Sequence, residues 1–147
     1  MSSTVATPSE IKETAEAFFA AYRSLDVQTG VVQPKVVCLA LSVELVLKAL
    51  LVDEGTRYGR LHSLYNLFVK LSTTTRAEVM AMVEAPAPEF LRKLAEAQTS
   101  DAFVRWRYIH EVPLVGAENT WTGCLNQLYT AASAVLDRRL RERRQSP

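Results

Sequence analysis

The run Val36-Val37-Cys38-Leu39-Ala40-Leu41-Ser42-Val43-Glu44-Leu45-Val46-Leu47-Lys48-Ala49-Leu50-Leu51-Val52 decides how this chain folds. It is apolar almost all round a helical wheel, which places it in the middle of a bundle rather than on its surface. Spanning a bilayer takes about 20 apolar residues. This run is shorter and carries Ser42, Glu44 and Lys48, so it reads as a buried core helix. The helix opens around residues 31–35, with Pro34 tolerated only in its first turn, where no helical N–H is needed. Asp53 is its last residue, and Glu54-Gly55 stops it.

Helical signals extend to either side. Upstream, Thr7-Pro8-Ser9-Glu10 spells a capping box with proline at the first helical position. Ile11, Ala15, Phe18, Phe19 and Tyr22 follow at helical spacing, and this helix should end before Gly30. Downstream, Leu61, Leu64, Tyr65, Leu67, Phe68 and Leu71 predict a third helix of about three turns. Ser72-Thr73-Thr74-Thr75 ends it and offers caps for a short helix over residues 76–83. Ala85-Pro86-Ala87-Pro88 breaks the chain before a helix over residues 89–97. Thr99-Ser100-Asp101 caps a helix carrying Phe103, Trp106 and Ile109, which Pro113 ends. Asn119 or Thr120 starts a long final helix to about Arg144, with Trp121, Leu125, Leu128, Tyr129, Ala132, Val135 and Leu136 on its apolar side. No strand is expected. The fold class is all-α, a four- to five-helix bundle with short extra helices. Residues 1–7 read as a disordered N-terminus and residues 8–147 as a single helical domain.

Composition bounds the chemistry. The 147 residues are 48% apolar and 22% charged, the balance of a globular chain. Five glycines are too few for an all-β or Rossmann-type chain rich in tight turns. A net charge of +1 gives no global field for polyanions, so any nucleic-acid affinity must come from a local patch. Cys38 and Cys124 lie in apolar helical stretches and read as small buried hydrophobes rather than a disulfide. The first residues lack a signal-peptide layout, and a cytoplasmic location with no membrane association is expected. There is no CxxC, HExxH, Gly-rich phosphate loop or GxSxG. His62 and His110 are the two histidines, so neither a metal site nor a cofactor is expected.

Four groups of side chains are candidates for function. In Phe103-Val104-Arg105-Trp106-Arg107-Tyr108-Ile109-His110-Glu111, Arg105 and His110 stand about 140° apart on a helix and flank its apolar stripe. A histidine moves protons near neutral pH and an arginine stabilises a phosphorane, the pair that cleavage of an RNA phosphodiester needs. The plainer reading is an Arg107–Glu111 ion pair beside a partly buried imidazole. Glu44 and Lys48 share a face of the central helix, as a structural ion pair or as the wall of a polar groove with Arg107 and His110. His62, in Arg60-Leu61-His62-Ser63 at the opening of the third helix, can cap it or meet an anion there. The tail Asp137-Arg138-Arg139-Leu140-Arg141-Glu142-Arg143-Arg144 sets five arginines against two acids. It is either a phosphate-backbone contact or a solvated helix end whose cations favour the dipole.

Val43-Glu44-Leu45-Val46-Leu47-Lys48-Ala49-Leu50-Leu51, Gly59-Arg60-Leu61-His62-Ser63-Leu64 and Phe103-Val104-Arg105-Trp106-Arg107-Tyr108, in that order, resemble the HEPN superfamily over residues 36–136. The likeness is to small stand-alone members with E-x-x-L-K-A-L-L, H-x-L and W-R-Y segments. The resemblance implies a helical bundle, often a homodimer. In catalytic members an Arg-x4–6-His motif from each protomer meets at the dimer interface and cleaves RNA without metal, in toxin–antitoxin, phage-defence and RNA-processing systems. Carried onto this chain, the catalytic pair falls on Arg105 and His110. Catalytic members commonly have Asn, Asp or His after the arginine, and this chain has Trp106. The rival expectation is therefore a non-catalytic dimerisation module that binds a nucleotide or a protein partner such as an antitoxin. In that reading Glu44, Lys48, His62 and Arg107 line the ligand or RNA site.

Overall fold

The computed structural model describes residues 5–25, 33–96, 100 and 118–147. Among them are six helices and no strand: α1 (Pro8–Ser24), α2 (Gln33–Asp53), α3 (Leu64–Lys70), α4 (Thr73–Ala81), α5 (Ala87–Ala95) and α6 (Glu118–Gln145). The all-α bundle expected from periodicity is the fold. None of the described helices is long and apolar enough to cross a membrane.

Local chemistry sets the helix ends. Thr7 accepts from the Glu10 amide at 3.2 Å while the Glu10 carboxylate accepts from the Thr7 amide at 2.7 Å, closing the capping box. Those two donors from Thr7, backbone first and hydroxyl second, hold the Glu10 carboxyl below its ordinary range. At the other end of α2, Gly55 takes φ 74°. The Gly55 amide then reaches the Val52 carbonyl at 3.0 Å and the Thr56 amide the Leu51 carbonyl at 2.8 Å. This is a Schellman stop, and it needs a residue free to adopt positive φ.

Three boundaries differ from the periodic reading. The third helix is 7 residues long and begins only after Ser63, which caps it by accepting from the Asn66 amide. Tyr58 and Leu61 pack on the core from the preceding turn instead of from a helix. Ser72 caps α4, so that helix starts at Thr73, inside the run read as its cap. Pro86 and Pro88 bracket the start of α5 at Ala87, because proline fits a first turn as well as it breaks a helix. The expected helix following Asp101 lies outside the described residues.

Packing is centred on α2. Val36, Leu39, Ala40, Val43, Val46, Leu47, Ala49, Leu50 and Leu51 are all buried. α1 lies along it, and α6 and α3 also pack on it. α4 and α5 rest on α6, and Phe68 of α3 meets Phe90 of α5 edge-on at 6.4 Å. Each valine or leucine buried so completely contributes about 1.5–3 kcal/mol relative to exposure. Ser42, buried at the heart of α2, satisfies its hydroxyl by donating to the Leu39 carbonyl at 2.7 Å. Cys38 and Cys124 are both free thiols. Burial pushes the Cys124 thiol up to about 11, the environment expected of a small core hydrophobe.

Candidate functional site

The middle of α2 places Glu44 and Lys48 one turn apart, and the loop leading into α3 returns His62 to the same spot. Lys48 Nζ donates to Glu44 Oε1 at 2.6 Å, and His62 Nδ1 lies 2.9 Å from the same oxygen. A carboxylate only accepts, so Nδ1 carries the hydrogen and Nε2 is on the far side of the ring. Glu44 is 3% exposed while the imidazole is 54% exposed. The carboxylate is thus a buried anchor and the ring its solvent-facing end. Lys48 is nearly buried and sits 4.9 Å over the Tyr58 ring, a cation–π contact that offsets part of its desolvation. Glu44 Oε2 is buried with no hydrogen-bond partner among the described residues. Both donors that the described residues give this carboxylate fall on one of its oxygens.

Three of the residues singled out by pattern therefore come together: Glu44, Lys48 and His62. His62 does so differently from the expectation. It sits ahead of the capping residue Ser63 and binds a side chain of α2 instead of capping α3. Arg105, Arg107 and His110 lie outside the described residues, as does any packing of their segment on α2.

A second charged cluster occupies the C-terminal end of α2, where pattern reading stopped at a helix terminus. Asp53 is 2% exposed; Arg139 Nη1 lies 3.6 Å from its Oδ2 and Arg143 Nη1 3.0 Å from its Oδ1. The Arg143 approach is off the hydrogen-bonding line, which leaves Oδ1 paired by charge without a hydrogen bond. Arg143 Nη2 also donates to the Asp53 carbonyl at 3.0 Å. Glu54 accepts from the Ser72 amide at 3.1 Å, from the Ser72 hydroxyl at 2.6 Å and from the Thr75 hydroxyl. Burial alone would raise the Glu54 carboxyl, but the donors from Ser72 and Thr75 and the charge of Arg139 outweigh it and hold the group below its ordinary range. Arg138 and Arg139 both reach Glu78 of α4, at 2.6 and 3.2 Å.

These contacts revise the reading of the basic tail. Arg138, Arg139 and Arg143 are engaged with acids of α2 and α4, so these three arginines of the tail are more than a solvated end. They tie the last turns of α6 to the rest of the bundle. Spacing alone could not show this, because the acids that take these arginines are 60 to 90 positions away.

The described residues thus define an all-α bundle with an anchored imidazole on its central helix. Comparison with family models, with curated proteins and with solved structures gives no match.

Proposed function

We propose that this chain is a HEPN-like helical domain that binds single-stranded RNA, or a nucleotide, at the Glu44–Lys48–His62 cluster. Its setting is a prokaryotic defence or toxin–antitoxin type system, and its working form a cytoplasmic homodimer. The observation that carries this reading is the meeting of Lys48 and His62 on one buried oxygen of Glu44. These residues belong to the first two segments of the HEPN resemblance, and His62 is brought back across 18 positions to reach Glu44. Glu44 fixes the imidazole, leaving Nε2 to accept a hydrogen bond or a proton from a ligand hydroxyl. Arg107, from the third segment, is assigned to the same ligand.

The spacing Arg105-x4-His110 favours a second reading, metal-independent RNA cleavage. There His110 moves the proton of the attacking 2′-hydroxyl and Arg105 stabilises the phosphorane. A third outcome is a module whose partner is a protein such as an antitoxin.

The test is fluorescence anisotropy with a labelled single-stranded RNA, followed by gel analysis of the same RNA in EDTA. Binding is expected, with a weakening of tenfold or more in His62→Ala and in Lys48→Met. Cleavage in EDTA that disappears in His110→Ala establishes the enzyme. Binding without cleavage establishes the non-catalytic module. Absence of RNA and nucleotide binding, or binding indifferent to both cluster variants, overturns the proposal.

A further inference from the structure

The stretch that stops α2 and leads into α3, residues 54–63, brings more to the Glu44 cluster than His62. It passes through two left-handed glycines, Gly55 at φ 74° and Gly59 at φ 58°. Between them stands Tyr58, whose carbonyl accepts from the Leu61 amide at 3.2 Å. Tyr58 and Leu61 both pack on the core, which fixes the turn on either side of Gly59. One short stretch thus supplies two side chains to the same pair. His62 goes to the Glu44 carboxylate, and the Tyr58 ring goes to the Lys48 ammonium, 4.9 Å from its centroid.

An ammonium carries three N–H groups. Lys48 gives one to Glu44 Oε1 at 2.6 Å and turns part of its charge to the Tyr58 π face. Its side chain keeps 11% exposure, room for one contact from outside and little more. Carboxylate and ring together therefore decide how this ammonium meets a ligand. Water admitted in place of the ring would compete for the same N–H groups and loosen the bond to Glu44.

We propose that Tyr58 is the positioning residue of this site: its ring holds the Lys48 ammonium against Glu44 and leaves one N–H for an oxygen of the ligand. The inference rests on the reading of Glu44, Lys48 and His62 as the binding cluster. Tyr58 acts through Lys48 and does not touch the ligand. The ring does this and the hydroxyl does not, because the attraction comes from the ring quadrupole. Gly59 sets the turn that carries Tyr58. A Cβ at Gly59 meets nothing within 4 Å, so a substitution there acts through the backbone alone.

The test reads two quantities in the full chain: the Lys48 ammonium protons by NMR, and affinity for a labelled single-stranded RNA by anisotropy. The parent and Tyr58→Phe are expected to show a slowly exchanging ammonium signal, missing in Lys48→Met, and to bind RNA within about twofold of each other. Tyr58→Leu should lose that signal and bind about fivefold more weakly. Gly59→Ala should act the same way, and Gly59→Asn, which tolerates the left-handed turn, should restore both readouts. Tyr65→Leu removes another half-buried tyrosine from the core and should leave both unchanged, with thermal melting as the check on folding. Tyr58→Leu that keeps either the signal or the affinity overturns the proposal, as does an equal loss in Tyr65→Leu. RNA binding absent from the parent overturns the binding reading, while the ammonium signal still decides whether Tyr58 places Lys48.

Discussion

Two carboxylate clusters lie along α2 and at the turn that stops it, and they are built in different ways. At its C-terminal end, Asp53 and Glu54 are met from two other helices: Arg139 and Arg143 of α6, and Ser72 and Thr75 at the head of α4. In its middle, Glu44 receives Lys48 and His62 on a single oxygen and leaves the other without a partner among the described residues. The first cluster surrounds its acids with cations and hydroxyls, and its most buried member is tied to distant elements. The second spends a buried charge to hold one imidazole at the surface. The first is a clamp between helices, even with Asp53 Oδ1 held by charge alone. The second keeps one member, the His62 ring, open to solvent.

The largest effect that separates the two is on stability. Arg139→Ala strips Asp53, Glu54 and Glu78 of a shared cation, and breaking a buried pair costs about 3–5 kcal/mol. Urea denaturation should show a loss near the lower figure, about 3 kcal/mol, since the ion pairs to Arg138 and Arg143 remain. A loss under about 1 kcal/mol would mean that the clamp is only a surface network.

Next come the variants of the middle cluster. Lys48→Met should cost about 2 kcal/mol, because it leaves the Glu44 charge buried with His62 alone. Glu44→Gln leaves the nearly buried Lys48 ammonium without its carboxylate and should cost a comparable amount, about 2 kcal/mol, in the same denaturation experiment. A loss under about 1 kcal/mol in both variants would mean that this pair is wet and weakly coupled.

Acid should act on the clamp through Glu54. Its carboxyl is held below the ordinary value in the folded chain. The stability it contributes is present above the unfolded value and is lost as pH falls through the folded one. Melting temperature between about pH 6 and pH 3 should fall, and Ser72→Ala should flatten that slope by removing one of the donors that favour ionised Glu54. The same substitution removes the α4 cap and should cost about 1 kcal/mol at neutral pH. An unchanged slope would show that Glu54 is not the titrating group. The smallest effect belongs to His62→Ala. Its ring is half exposed, so stability should change by less than about 0.5 kcal/mol while RNA affinity falls. A large stability loss would make the imidazole part of the scaffold.

Much of this was legible in one dimension. The start of α1 followed from Thr7, Pro8 and Glu10, and the stop of α2 from Gly55, because caps and positive-φ turns are decided by neighbours in sequence. Glu44 and Lys48 could be paired from i,i+4 spacing. His62 could be flagged but not placed, since no local rule says which helix a loop folds back upon. The Asp53–Glu54 clamp was illegible for the same reason: Arg139 acquires meaning only from residues on other helices.

What the sequence determined by itself was the helical class and the central position of α2. Hydrophobic periodicity and capping chemistry act over a few residues, and a helix apolar all round has nowhere to go but the middle. Only the tertiary structure decided which charges meet. Ion pairs and cavities depend on distances between elements, and those distances emerge when the helices pack.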